Sequence, residues 1–324
     1  MKKILFIASV AVMTALTASQ AIAQDQPAAP GISNASSAGY FLDVNMDSHL
    51  MGMANTGAAM YATAFSIWNN MASTAFSENK MDVGVSYGLW QPNGIKGNVI
   101  SAAGYGRVHE RITIAAGIKY FGEQPISKTT DGLNYESFTP MHLSAGVGIG
   151  VKILPILSAS ANVHYIMSDL GGPKKANAVS ADFGAMVHLK FMNIGVTASN
   201  IGSQLNYGGI DSYGLPTNLK VGVGTTQKFG SEDKHSVTAN LQGGMTFAST
   251  AFFGEVGAEY MYNDLFRVSA GYRYGDNKKD IPQYVSVGLG FKFVGISINA
   301  AYLIGLEADS PIGNTFSVGV GYSF

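Results

Sequence analysis

The chemistry available to this chain of 324 residues is sparse: six histidines, 41 formal charges split almost evenly between acid and base, and no cysteine. His49, His109, His142, His164, His188 and His235 are scattered, with no i,i+4 pair to set two imidazoles on one helix face for a metal. No Walker-type phosphate loop and no GxSxG nucleophile turn occurs. The chain therefore reads as a non-enzyme that needs no cofactor and no metal. One charged constellation has informative spacing. Glu255 and Glu259 share a period-two face, and so do Arg267 and Arg273 in the next run. Asn263-Asp264-Leu265 between the runs has a common hairpin-loop length. If Tyr262 faces Phe266, Met261 meets Arg267, Glu259 meets Ser269 and Glu255 meets Arg273. Val256, Ala258 and Tyr260 then face Tyr272, Ala270 and Val268 on the other side. A slip of one residue would exchange the two faces, so the Glu255–Arg273 pair marks the register. In a wet interior it would contribute only about 0.2–1 kcal/mol.

Such a pair needs strands to hold it, and strands are what the chain supplies. Segments near 82–90, 98–107, 111–121, 141–153, 157–168, 179–190, 192–201, 218–229, 234–243, 253–262, 266–275, 284–293, 295–304 and 314–324 alternate between apolar and small polar residues and end at Gly, Pro, Asn or Asp. That predicts fourteen strands, each about the length a tilted strand needs to cross a bilayer. Connections after even-numbered strands are short and those after odd-numbered strands long. Periplasmic turns and extracellular loops have this pattern, which puts both termini in the periplasm. Ile112, Ile114, Ala116, Ile118 and Tyr120 form one outward face, and Val285, Val287, Leu289, Phe291 and Phe293 another. Lys119, His142, Lys152, His164, His188, Lys220 and Lys292 fall on the opposite faces. A charge in mid-membrane costs roughly 2–4 kcal/mol, so these must point into the lumen. His142, His164 and His188 lie on consecutive strands and could share one layer there. Tyr120, Tyr165, Tyr272, Tyr274 and Tyr302 sit near strand ends, where an aromatic girdle belongs.

The last strand carries a further signal. Phe316, Val318, Val320, Tyr322 and Phe324 occupy one face at period two and end on a terminal aromatic. As a soluble edge this would invite aggregation; in a closed barrel it faces acyl chains. It resembles the C-terminal signal by which the insertion machinery recognises bacterial outer-membrane barrels. Composition agrees: charged residues are 13%, aromatics 11%, and glycine accounts for 40 positions. The net charge of −1 argues against nucleic acid as a partner.

The N-terminus reads as an export sequence. Lys2 and Lys3 precede an apolar run from Ile4 to Ala18, and Ala21-Ile22-Ala23 offers a cleavage site, giving a signal peptide over 1–23. Residues 24–38, rich in Ala, Ser, Pro and Gly, form a flexible leader. Residues 39–80 lack alternation and are rich in small residues and Met, including Met46, Met51, Met53, Met60 and Met71. They are expected to fold as short helices and turns plugging the barrel, with Met51, Met53, Phe65, Trp68 and Asn69 as plug residues; a cap outside the barrel is the alternative. Residues 81–324 form the barrel. The fold class is thus all-β, a transmembrane antiparallel barrel of about fourteen strands with an N-terminal helical plug, in the outer membrane and in contact with its lipid.

Several stretches resemble the PorV/PorQ family, itself similar to the FadL-type barrels. They are Met51-Gly52-Met53-Ala54 through Gly57-Ala58, Ala64-Phe65-Ser66-Ile67-Trp68-Asn69, Thr197-Ala198-Ser199-Asn200-Ile201-Gly202, Leu215-Pro216-Thr217-Asn218-Leu219-Lys220-Val221-Gly222, and Tyr284 to Gly290. One departure is Asn69-Asn70-Met71-Ala72, where the family usually reads Asn-Pro-Ala; without Pro the backbone φ is not preset. The resemblance implies a part in type IX secretion, binding either the C-terminal domains of secreted cargo or partners in an attachment complex. A FadL-like transporter of small hydrophobic molecules is the alternative. The predicted lumen face, mostly Ser, Gly, Asn and Lys, suits a solvated or plug-filled interior better than an acyl pocket.

Overall fold

The computed structural model describes residues 39–90, 97–129, 132, 136–171, 174–275, 281–306, 312 and 315–324. The expected signal peptide and leader lie outside the described residues. Among the described residues, sixteen strands follow in chain order: β1 (Met81–Trp90), β2 (Gly97–His109), β3 (Ile112–Gly122), β4 (Ile126–Lys128), β5 (Glu136–Phe138), β6 (Met141–Leu154), β7 (Leu157–Asp169), β8 (Ala176–His188), β9 (Asn193–Gly202), β10 (Asn218–Phe229), β11 (His235–Thr246), β12 (Ala251–Tyr262), β13 (Phe266–Tyr274), β14 (Tyr284–Phe293), β15 (Ile296–Gly305) and β16 (Thr315–Ser323). Fourteen of them, all but β4 and β5, close into one antiparallel barrel. β16 pairs with β1 from Asp82–Ser323 to Leu89–Phe316, so no edge is left bare.

Alternation produces the expected two faces. On β3, Thr113, Ala115, Lys119 and Phe121 are buried inward while Ile114, Ala116 and Ile118 are exposed outward. On β14, Ser286, Gly288 and Gly290 are buried while Val287, Leu289, Phe291 and Phe293 are exposed. In water this exposed apolar belt would be a liability; against lipid it is the fold's solvent-matched surface.

The connections depart from strict short–long alternation at one point. The link between β11 and β12 is only residues 247–250, no longer than the 230–234 turn before it. Gly243 and Gly244 suggest a strand end, yet both lie inside the β11 ladder, opposite Gly254 and Phe253. A Cβ on Gly244 would collide with the inward Phe253 ring, so here glycine marks a close approach, not a break. The long connection after β3 contains the β4–β5 hairpin, paired from Ile126–Phe138 to Lys128–Glu136. β8 runs from Ala176 to His188, three residues earlier at its start and two at its end than its alternation suggests.

β9 is irregular. Its pairing with β8 shifts between Ala181 and Phe183, and Asn200 adopts φ 59°, a left-handed conformation that Asn tolerates. Asn200 N donates to Asp182 Oδ1 (2.7 Å) and Asn200 Nδ2 to the Pro216 carbonyl (3.2 Å). β9 pairs with β10 only as far as Ser199–Asn218. Beyond that point residues 203–217 turn inward and bury Leu205 and Leu215 in the barrel mouth. The Thr197–Gly202 and Leu215–Gly222 stretches singled out in the sequence are the two sides of this feature.

Candidate functional site: the plugged lumen

Between Gly39 and Phe76 the chain fills the barrel. Its regular pieces are short: a 3-10 turn at Tyr40–Leu42, helix α1 (Ser48–Met51), and 3-10 turns at Ser66–Trp68 and Met71–Phe76. Asp47 caps α1 by accepting from His49 N (3.1 Å), and takes a further bond from Thr63 Oγ1 (2.7 Å). A segment with so little secondary structure leaves many backbone groups to satisfy, and the lumen wall satisfies them. Ala54 N donates to Ser286 Oγ (2.9 Å) and Ala58 N to Gln242 Oε1 (2.9 Å). The carbonyls of Ile67 and Ala72 accept from Asn162 Nδ2 (3.1 Å) and Ser158 Oγ (2.7 Å). Glycines admit the plug backbone: a Cβ on Gly195 would meet the Ala58 carbonyl, and one on Gly271 would lie 2.5 Å from Ala54 N. The small polar lumen face is thus a docking surface for a chain.

The plug residues occupy distinct places. Met51 packs with Phe41 and Met46, while Met53 packs with Leu50 and Met60. Phe65 joins Ile67 and Met71 against Ala103, Tyr105 and Ala115 of β2 and β3. Asn69 Oδ1 accepts from Asn45 Nδ2 (2.9 Å), tying two passes of the plug together. Asn70 has φ −136°, outside proline's range, and its Nδ2 donates to the carbonyls of Ala58 (2.6 Å) and Ala185 (3.2 Å).

Three stacks were not apparent from the sequence. Phe41 lies on His142 (4.8 Å, 19°), Trp68 on His164 (4.9 Å, 29°) and Phe76 on His188 (4.9 Å, 23°). The histidines do not share a layer. His164 is paired across from Gly146, four residues along β6 from His142, and His188 ends β8. They descend the wall from the mouth bearing the longer loops (the loop end) toward the opposite mouth (the turn end). The only signal in the sequence was one histidine on each of three consecutive lumen faces.

Charged groups pin the other side. Arg273 Nη1 donates to Glu255 Oε1 (2.7 Å), Gln242 Nε2 donates to the second carboxylate oxygen, and the guanidinium lies 4.4 Å from the Phe253 ring. The two residues are direct partners on β12 and β13. Glu259 receives Tyr61 OH (2.9 Å) and bonds His49 Nε2, while Arg267 Nη1 is 3.0 Å from both His49 ring nitrogens. Burial, together with the Glu259 carboxylate, pushes the Tyr61 phenol well above its ordinary range. Desolvation by the surrounding plug and wall pushes the Asp43 carboxyl up, although the residue itself is exposed, and Lys220, Arg273 and Lys119 oppose the shift. On β16, Phe316, Val320 and Tyr322 are exposed and Val318 half-buried, all on the outer face, and Phe324 just past the strand is exposed as well.

The two ends of the lumen differ. At the loop end, Phe41, Met46 and Met51 of the plug meet Val99, Phe121, Ile166 and Leu303 of the wall and Leu205 and Leu215 of the inturned loop. At the turn end a vestibule of ≈ 450 Å³ opens, lined by charged and polar groups including Asp47, His49, Asp82, Lys190, Lys228, Arg267 and Lys292, with Phe65, Phe76 and Phe191.

A closed fourteen-stranded barrel whose N-terminal segment is folded into its lumen defines a FadL-like outer-membrane barrel. Solved structures of that class are similar. The toluene transporter TodX of Pseudomonas putida has a TM-score of 0.63 at 13% identity, covering 84% of this chain and 97% of its own. The toluene transporter TbuX of Ralstonia pickettii has a TM-score of 0.63 at 14% identity, covering 88% and 99%. A FadL homologue of Pseudomonas aeruginosa has a TM-score of 0.56 at 13% identity, covering 87% and 99%. At such identities the likeness is one of fold. No curated protein matches the chain in sequence. Residues 31–247 match the family of type IX secretion system protein PorV, and the chain belongs to that family.

Proposed function

We propose that this barrel serves type IX secretion by binding a protein partner, either the C-terminal domain of a secreted cargo or a component of an attachment complex, and that solute flux is not its activity. The observation that carries this reading is the plug. It is hydrogen-bonded to the wall along its length and sealed by an apolar cluster at the loop end. The vestibule is lined by Asp82, Lys190, Lys228, Arg267 and Lys292, and an aromatic solute seated against them would have to desolvate their charges. Both termini belong in the periplasm on this reading, with the longer loops outside.

The inturned loop offers a contact for the partner. Asn206 Nδ2 bonds the carbonyls of Gly209 (3.3 Å) and Asp211 (3.2 Å) and Ser212 Oγ (3.0 Å), and Leu205 pairs with Tyr213. This brace holds Ile210 fully exposed at the tip. A preformed apolar knob loses little entropy on binding. Ile210→Asp should leave barrel stability within about 0.5 kcal/mol, as surface changes do, yet reduce the protein partner recovered by affinity purification from the native membrane. Deleting the gene should strand cargo carrying the C-terminal signal domain in the periplasm. Intact secretion with failed uptake of a small hydrophobic compound would instead establish the transporter reading, which the likeness in fold to the toluene transporters favours.

A further inference from the structure

The rim of the wall at the turn end is stepped between β9 and β10. β9 begins at Asn193, opposite Gly224, whereas β10 runs on to Phe229. Over this extension β10 pairs only with β11, from Thr225–Ala239 to Phe229–His235, and its other edge faces no strand. Uniform strand tilt does not make the step, because the rim is level across the following turn, where His235 pairs with Tyr262 and Tyr262 with Phe266. The β8–β9 turn leans on the edge without pairing with it: Thr225 Oγ1 (2.6 Å) and Gln227 Nε2 (3.3 Å) donate to the Phe191 carbonyl. Thr226, Gln227, Lys228 and Phe229 are all exposed. At ~3.3 Å per residue the extension offers about 16 Å of strand edge on which another chain can pair.

Two lysines flank this edge. Lys228 lies on the lumen side of β10 and Lys190 in the β8–β9 turn, both lining the vestibule, and neither makes an ion pair among the described residues. Lys190 Nζ lies 5.2 Å over the Phe191 ring. The acids that line the vestibule, Asp47, Glu78, Asp82 and Asp264, come from the plug, the approach to β1, β1 itself and the β12–β13 turn. None comes from β8 to β11, so this side of the mouth is basic. On the outer side of the edge Phe229 is exposed and stacked on His235 (5.4 Å, 17°). A strand added here would turn alternate side chains toward the lysines and toward Phe229. Two copies of the edge would set lysine against lysine, so charge selects a different partner.

We propose that the β10 edge from Thr225 to Phe229 is a docking strand for an extended acidic segment of a partner protein. Carboxylates at alternate positions of that segment meet Lys190 and Lys228, and the apolar side chains between them meet Phe229. The inference rests on the reading that the partner is a protein, and it adds a contact at the mouth opposite the Ile210 loop.

The probe is a fluorescent peptide of about eight residues alternating glutamate and valine, titrated into the mature, detergent-purified barrel. It should bind about tenfold or more tighter than the lysine–valine counterpart, the difference made by one charge-assisted hydrogen bond. Lys190→Glu combined with Lys228→Glu should reverse the order of the two peptides, a change that loss of fold does not produce. An unchanged order refutes the part given to the lysines. Strand addition has its own readout: methylating the peptide nitrogens along one edge should abolish binding, whereas methylating those along the other should preserve it. Equal effects refute strand pairing, and a barrel that dimerises through this edge overturns the proposal in favour of a second copy. Peptide binding is measured without secretion, so it can fail while the secretion defect of the gene deletion stands.

Discussion

The two halves of the lumen enclose the same plug in different ways. At the loop end the contacts are apolar and closely packed, with Phe41, Met46, Phe121 and Leu205 fully buried. At the turn end His49, Glu259, Arg267 and Tyr61 knit the plug to β12 and β13 through hydrogen bonds beside an open vestibule. Dispersion and desolvation close one end, and directional polar contacts hold the other. Truncating an apolar contact leaves a cavity whose cost depends on how far the site collapses. Removing one member of a buried polar network leaves its partner unsatisfied. The loop end is thus the barrier and the turn end the anchor, so access to the lumen should come from the turn side.

The largest effect should come from breaking the seal. Phe41→Ala removes a ring stacked on His142 and packed against the wall, and should cost about 3–5 kcal/mol in stability. It should also turn a barrel silent in planar-bilayer recordings into a leaky one. A silent Phe41→Ala barrel would locate the barrier elsewhere. Next is the ion pair just beneath the seal. Arg273→Met leaves Glu255 buried with only Gln242, and should cost about 3–5 kcal/mol by denaturant unfolding. Glu255→Gln in the same chain should recover much of the loss. The small figure for a wet pair does not apply, because the plug excludes water here.

Labelling tests the asymmetry directly, since the native chain has no cysteine. Thr226→Cys in the vestibule should react with a bulky thiol reagent about a hundredfold faster than Ala178→Cys at the loop end, the ratio set by an opening cost of about 3 kcal/mol. Equal rates would erase the distinction. The smallest effect is on pH. A carboxyl whose folded pKa is raised contributes stability that is fully present below its unfolded value and lost as pH rises through the folded one. Asp43 should therefore favour docking of the loop-end plug on acidification. Asp43→Asn should flatten that part of the pH profile of the melting temperature.

Alternation by itself determined the strand number, the lipid-facing belt and the order of closure, because a period-two apolar face has one stable environment in a chain with so few charges. Where local signals are ambiguous, the sequence misleads. Gly244 reads as a strand end, and only the Phe253 ring on the neighbouring strand shows why glycine is needed inside the ladder. Asn200 carries no periodic signal, yet its left-handed backbone and its bonds to Asp182 and Pro216 release β9 from β10 and send Leu205 and Leu215 into the mouth. The pairing of Phe41, Trp68 and Phe76 with three histidines, and the convergence of Lys119, Lys220, Arg273 and Asp43 on one small void, join residues up to 230 positions apart. Their spacing encodes none of this. It was decided by where the plug chain lies within the closed barrel, since residues with no sequence relation become neighbours only when both ends of a long loop are fixed to the same wall.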